Sequence, residues 1–141
     1  MSKKRVSSAL LRFKVNSKKP SQLKIIKNNM EELIKLAQLA VAISVFYVWI
    51  FRFHNVRKEF KQFELSDLNR SFIGVTKTSI ATLLVVGIWY SSLVLIPSIL
   101  MGLLMVGAQY FHFKASNPFI QRLPSLILLL LCAFIALAST Q

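Results

Sequence analysis

Residues 78–113 read TSIATLLVVGIWYSSLVLIPSILMGLLMVGAQYFHF, 36 positions without a Lys, Arg, Asp or Glu. One hydrocarbon span takes about 20 apolar residues at a rise of about 1.5 Å each, so a single helix of this length would overshoot a bilayer. Tyr90-Ser91-Ser92 and Pro97 interrupt the run near its middle. The stretch therefore predicts a helical hairpin in lipid.

Working outward, residues 33–51 (LIKLAQLAVAISVFYVWIF) carry one charge, Lys35, near the start, where its stem can snorkel to the interface. Residues 123–141 carry none, although their strongly apolar part, residues 126–138, is short. Backbone groups in lipid must be bonded internally, and a fourth helix gives the hairpin a partner. The expected fold is all-α: an up-and-down transmembrane four-helix bundle with spans at about 33–51, 71–90, 93–112 and 124–139. A basic N-terminal tail, residues 1–32, precedes this membrane domain of residues 33–141.

With 141 residues, 55% of them hydrophobic, a soluble domain would lack the polar surface to cover its core. No separate catalytic domain fits, and the first apolar stretch starts too late to read as a cleavable signal. Cys132, the only cysteine, lies in the last span, which excludes an internal disulfide and a thiolate-rich centre.

The net charge of +13 would suggest nucleic acid in a soluble chain. Here nine of the 18 basic residues precede the first span, so acidic lipid head groups are the expected partner and nucleic acid is not. Val6, Ala9, Leu10 and Phe13 recur at helical spacing among the charges, as do Leu23, Ile26, Met30 and Leu33. Pro20 is expected to separate two helical pieces. Nine basic residues on the N-terminal side against seven on the other favour both termini inside.

The connectivity brings the end of span one, the start of span two, the end of span three and the start of span four to one side. Arg52, His54, Asn55, Glu59, Lys77, Gln109, His112, Asn117 and Arg122 gather there, whereas the turn 91–98 has no charge and reads as a plain connector. Gly102, Met105, Gln109 and His112 are expected on one stripe, and Arg52, Asn55 and Glu59 on another. For Lys77, about two turns into span two, two placements are open: facing the bundle interior, or snorkelling to the surface. The simpler reading of Gln109 is a bond across helices. His112, without a second ligand at suitable spacing, is poor evidence for metal, and bonding to a loop is its commoner role. No nucleophile with a base, paired carboxylates or phosphate loop appears, so no catalysis by this chain alone is expected.

The segments WIFRFHNVRKEFKQFELSDLNRSFIGVTKTSIATLLVVGIW and MGLLMVGAQYFHFKASNPFIQRLPSLILLLL carry a family pattern. It comprises a spaced Phe/Leu connector after helix one, Gly74 and Lys77 early in helix two, Gly87-Ile88-Trp89 at its end, His112 closing helix three, and Pro124 leading helix four. This resembles the DoxX-like family of small four-helix membrane proteins over roughly residues 33–139. The resemblance implies an accessory or anchoring subunit of a membrane complex, in a bacterial inner membrane, with a redox partner protein. It also implies, as alternatives, a quinone-linked oxidoreductase component handling a sulfur anion or oxidative stress, or a small-molecule or lipid carrier. Lys77, His112, Gln109 and Arg52 would then bind a quinone or anionic head group at the polar mouth.

Overall fold

The structure, a computed structural model, describes residues 2–141, and the side chains of all of these except residues 2 and 15–18. It is all-helical, with no strand among the described residues. The helices are α1 (Ser2–Phe51), α2 (Phe53–Gln62), α3 (Asp67–Val86), α4 (Leu95–Lys114) and α5 (Phe119–Ser139), with a 3-10 turn at Ser91–Leu93. The chain divides into two compact units, Met1–Leu33 and Ile34–Gln141.

In the first unit Pro20 does not separate two pieces. It lies inside α1, whose helical backbone runs through it. A proline costs a helix one backbone bond and some crowding, and good helix formers on both flanks can carry that loss. Val6, Leu10, Phe13, Leu23, Ile26 and Met30 are all exposed, so the apolar stripe of this unit is uncovered.

The second unit has one core. Ala37, Val41, Ala42 and Val45 of α1 meet Ile80, Ala81 and Leu84 of α3, Met101 and Met105 of α4, and Leu128, Cys132 and Ile135 of α5. Apart from the adjacent pairs Val41-Ala42 and Ile80-Ala81, the steps within each set are three or four residues, the spacing that keeps one face of a helix inward. Among the described residues, three helical stretches have the length and apolarity to cross a membrane, Lys3–Phe51, Ser91–Lys114 and Phe119–Ser139. Helix α3 has the length of a span but carries Asp67, Asn69 and Arg70 in its first turns and Lys77 at its middle.

Local chemistry sets the boundaries. Arg52 leaves helical geometry at φ −107°, ψ 20°, so the residues after span one form a separate helix, α2, that the four-helix expectation did not contain. Ser66 caps α3, its hydroxyl accepting from the Asn69 N–H at 3.3 Å, and Asp67 in the first turn suits the helix dipole and pairs with Arg70. Helix α5 starts at Phe119 after Pro118 rather than at Pro124, which lies inside it.

Helices α2 and α4 end alike. Glu64 and Ser116 take left-handed backbone (φ 56° and 53°), and the next residue folds back: Leu65 N–H donates to Phe60 O at 3.0 Å, and Asn117 N–H to His112 O at 3.1 Å. These six-to-one bonds satisfy carbonyls that a helix end leaves orphaned. At the opposite end of the unit the 91–98 turn is less plain than expected. Gln38 is buried there beside Gly87, and its Nε2 has no hydrogen-bond partner among the described residues.

Candidate functional site

The core stripes of the second unit continue past the core into a cavity of about 450 Å³. On α1, the spacing that buries Val41 and Val45 brings Trp49 to the wall, with Arg52 following just past the helix end; on α3, Leu84, Ala81 and Lys77 follow one another; on α4, Met101, Met105 and His112 do. Helix α2 lays Asn55, Val56, Glu59 and Phe60 along the same space, and α5 adds Ser125 and Leu128. Of the two placements open to Lys77, the structure has the inward one: its side chain is part of the cavity wall.

Gly74, one turn before Lys77, lets α3 come close to α1. A Cβ there would stand 2.5 Å from the Trp49 ring. Trp49 in turn meets Phe53 and Phe60 at ring distances of 6.3 and 6.5 Å, so the indole is held between glycine and aromatics.

His112 is fixed by a chain of hydrogen bonds. Gln62 Nε2 donates to Asn117 Oδ1 at 2.8 Å, and the Asn117 amide nitrogen lies 2.9 Å from His112 Nδ1. Since the Asn117 oxygen is the acceptor for Gln62, its NH2 is the donor to the ring. Nδ1 then accepts, and the proton of a neutral ring belongs on Nε2. The fold-back at Ser116 brings Asn117 over His112. Phe63 adds an edge contact to the imidazole at 5.3 Å and stacks on Phe111 at 5.6 Å.

Glu59 is the carboxylate of the cavity wall. Its half-buried position raises its pKa above the usual 4.5, while the positive charges of Arg52 and Lys77 pull it back down. Arg122 stands apart: its guanidinium sits over the Phe113 ring, 4.3 Å from the centroid.

Three of the four residues expected to bind a head group, Lys77, His112 and Arg52, thus line one cavity. Gln109 does not. Its Nε2 donates to Arg122 O at 2.9 Å and to Ser125 Oγ at 2.8 Å, tying α4 to α5, as in the simpler reading of a cross-helix bond. Gly102 faces α5 too, where a Cβ would meet Cys132 at 3.7 Å. The expected stripe is therefore split: Met105 and His112 face inward, Gly102 and Gln109 face α5. Arg52, Asn55 and Glu59 do share the cavity, although a helix break separates Arg52 from the other two. Sequence reasoning missed Asn117 as the residue that orients His112, and Trp49 as a wall; an Asn three residues past the end of a helix was the available signal for the first.

These residues can present two cations, one carboxylate and one imidazole N–H to a guest with an apolar body. Among the described residues no cluster of His, Cys, Asp or Glu could hold a metal ion. A family model described as the DoxX-like family matches residues 34–135, starting where the second compact unit starts. No curated protein and no solved structure matches the chain.

Proposed function

The chain belongs to the DoxX-like family, and from that premise we propose that it is an accessory or anchoring subunit of a membrane complex whose cavity receives the head group of an amphiphilic ligand. In this reading α1 from residue 34, α3, α4 and α5 each cross the membrane, as a four-helix bundle with α2 at the surface. The membrane is a bacterial inner membrane with both termini in the cytoplasm. The 20 residues of α3 would extend about 30 Å, the thickness of the hydrocarbon core. Its contribution to the shared core and the inward position of Lys77 support the span, since intramembrane charges are tolerated facing a cavity. The uncovered basic and apolar tail would rest on acidic lipid heads.

The observation that carries the reading is that Lys77, His112 and Arg52 share one cavity. It also favours a second form of it, a component of a quinone-linked oxidoreductase. Lys77 and the His112 Nε2–H are donors suited to carbonyl oxygens, and Trp49 and Phe60 are flat apolar walls for a ring. A quinone, when bound, supplies the redox chemistry; the residues of this chain bind and orient it, and the partner protein does the rest.

Three experiments test the proposal. Gentle purification should bring down a stable partner, and a short-chain quinone should bind the purified chain with affinity weakened by Lys77→Ala and by His112→Ala at unchanged membrane levels. Equal affinity in both variants would remove the site. Single cysteines at positions 60 and 116 should react with an impermeant reagent from one side and at position 92 from the other; labelling of all three from one side would sink the four-span topology.

A further inference from the structure

The balance of charge on the cavity wall narrows the ligand. Arg52 and Lys77 are cations, Glu59 is a carboxylate, and His112 is held as a neutral donor by Asn117. Together these side chains give the wall a formal excess of one positive charge. A neutral guest leaves that excess uncompensated, and a dianion overshoots it. A monoanion balances it, and the Nε2–H of His112 is placed to donate to one of its oxygens.

The apolar part of the wall includes residues that are themselves exposed. Leu103, which lines it, lies nine residues before His112 on α4, about 13 Å deeper along the helix, and is 62% exposed. Ile120, another wall residue, is 81% exposed. A wall that reaches the outer surface at that depth gives onto hydrocarbon when the helices are in a membrane. A guest can then keep its charged head between the cations while its tails lie outside, among the lipids.

We infer that the ligand is an acidic lipid, held by a singly charged phosphodiester head between Arg52 and Lys77 with its tails leaving through the side of the bundle. This rests on the head-group reading above and replaces its neutral quinone by a monoanion. The shared chemistry, a phosphate-type oxyanion, is also available in free phosphate, so the test separates the two.

The full-length protein in neutral detergent is mixed with phosphatidylglycerol or phosphatidylcholine, and retained lipid is measured by native mass spectrometry. Inorganic phosphate and a short-chain quinone are run as competitors. The basic tail is identical in every variant, so differences between them report the cavity. Phosphatidylglycerol should be retained one to one. Lys77→Met and Arg52→Gln should each weaken it about tenfold, the loss expected for one charge-assisted hydrogen bond. Glu59→Gln should strengthen retention, an opposite effect that general damage to the fold would not produce. Arg52 is exposed, so its variant keeps the test valid if Lys77→Met does not fold. Wild-type retention in both cation variants would overturn the inference, because the lipid would then sit elsewhere. Displacement by inorganic phosphate at similar affinity would overturn the lipid source. Binding of the quinone without phosphatidylglycerol would overturn the inference and leave the head-group reading standing; binding of neither would end both.

Discussion

Replacing Asn117 tests the part of the site with the most determinate geometry. Its side chain accepts from Gln62 at 2.8 Å, lies 2.9 Å from His112 Nδ1, and is 3% exposed. Asn117→Ala removes both bonds, each contributing about 1 kcal/mol, and leaves His112 Nδ1 buried without a donor at about 1 kcal/mol more, so a loss of ~2–3 kcal/mol is expected. Asn117→Asp separates stability from chemistry. A carboxylate still accepts from Gln62 but cannot donate to Nδ1, so the imidazole must carry its proton on Nδ1 and turn Nε2 into an acceptor. The assay is nitrogen NMR of labelled histidine in detergent, which is tractable because the chain has two histidines, and His54 serves as the control. Wild type should show the Nε2–H form at His112, and the Asp variant the Nδ1–H form with loss of head-group binding. An Nδ1–H imidazole in the wild type, or an unchanged tautomer in the variant, would refute the hydrogen-bond chain.

Gly74→Ala would put a methyl group 2.5 Å from the Trp49 ring; overpacking costs of about 1–3 kcal/mol, less the ~1 kcal/mol gained in helix propensity, predict net destabilisation in equilibrium unfolding that Trp49→Leu relieves. Ser116→Gly should stabilise by about 1 kcal/mol, because it removes a side chain from left-handed backbone without touching the Asn117 bonds. For Glu59, whose folded pKa lies above the unfolded one, the native state binds the extra proton. The contribution of Glu59 to stability is therefore fully present below about pH 4.5 and is lost as pH rises through the raised folded value. Glu59→Gln should flatten that segment of the stability profile and be the more stable protein at pH 7; an unchanged profile would show that burial does not disfavour the carboxylate.

The uncharged run at 78–113 made the helical pair α3 and α4 legible because a long apolar run broken near its middle leaves the chain few alternatives, and the grouping of the polar residues followed from connectivity. What the sequence left ambiguous was rotation about each axis. Gly102, Met105, Gln109 and His112 fit one helical stripe by spacing, yet that stripe is wide enough to face the cavity on one side and α5 on the other. In a helix as apolar as α4, spacing does not mark which edge is which. The break at Arg52 was hidden for a related reason: Arg52, Asn55 and Glu59 keep helical spacing across it, so a separate α2 leaves the same pattern as a continued helix. Pro20 misled in the other direction, since a residue that disfavours a helix does not forbid one. Gln38 sits among Leu, Ala and Val in a predicted span, and only tertiary packing against Gly87 gives it significance.

The placement of the two tryptophans has a spectroscopic consequence. Trp49 packs on Gly74 and borders the cavity, whereas Trp89, 74% exposed, lies just beyond the other end of α3. With Trp89 replaced by Phe, the emission of the remaining indole becomes a built-in optical gauge of cavity occupancy, free of any attached label. A brominated-chain lipid would quench it only when acyl carbon comes within contact range, so the same signal registers both whether a guest has arrived and which end of it faces the ring.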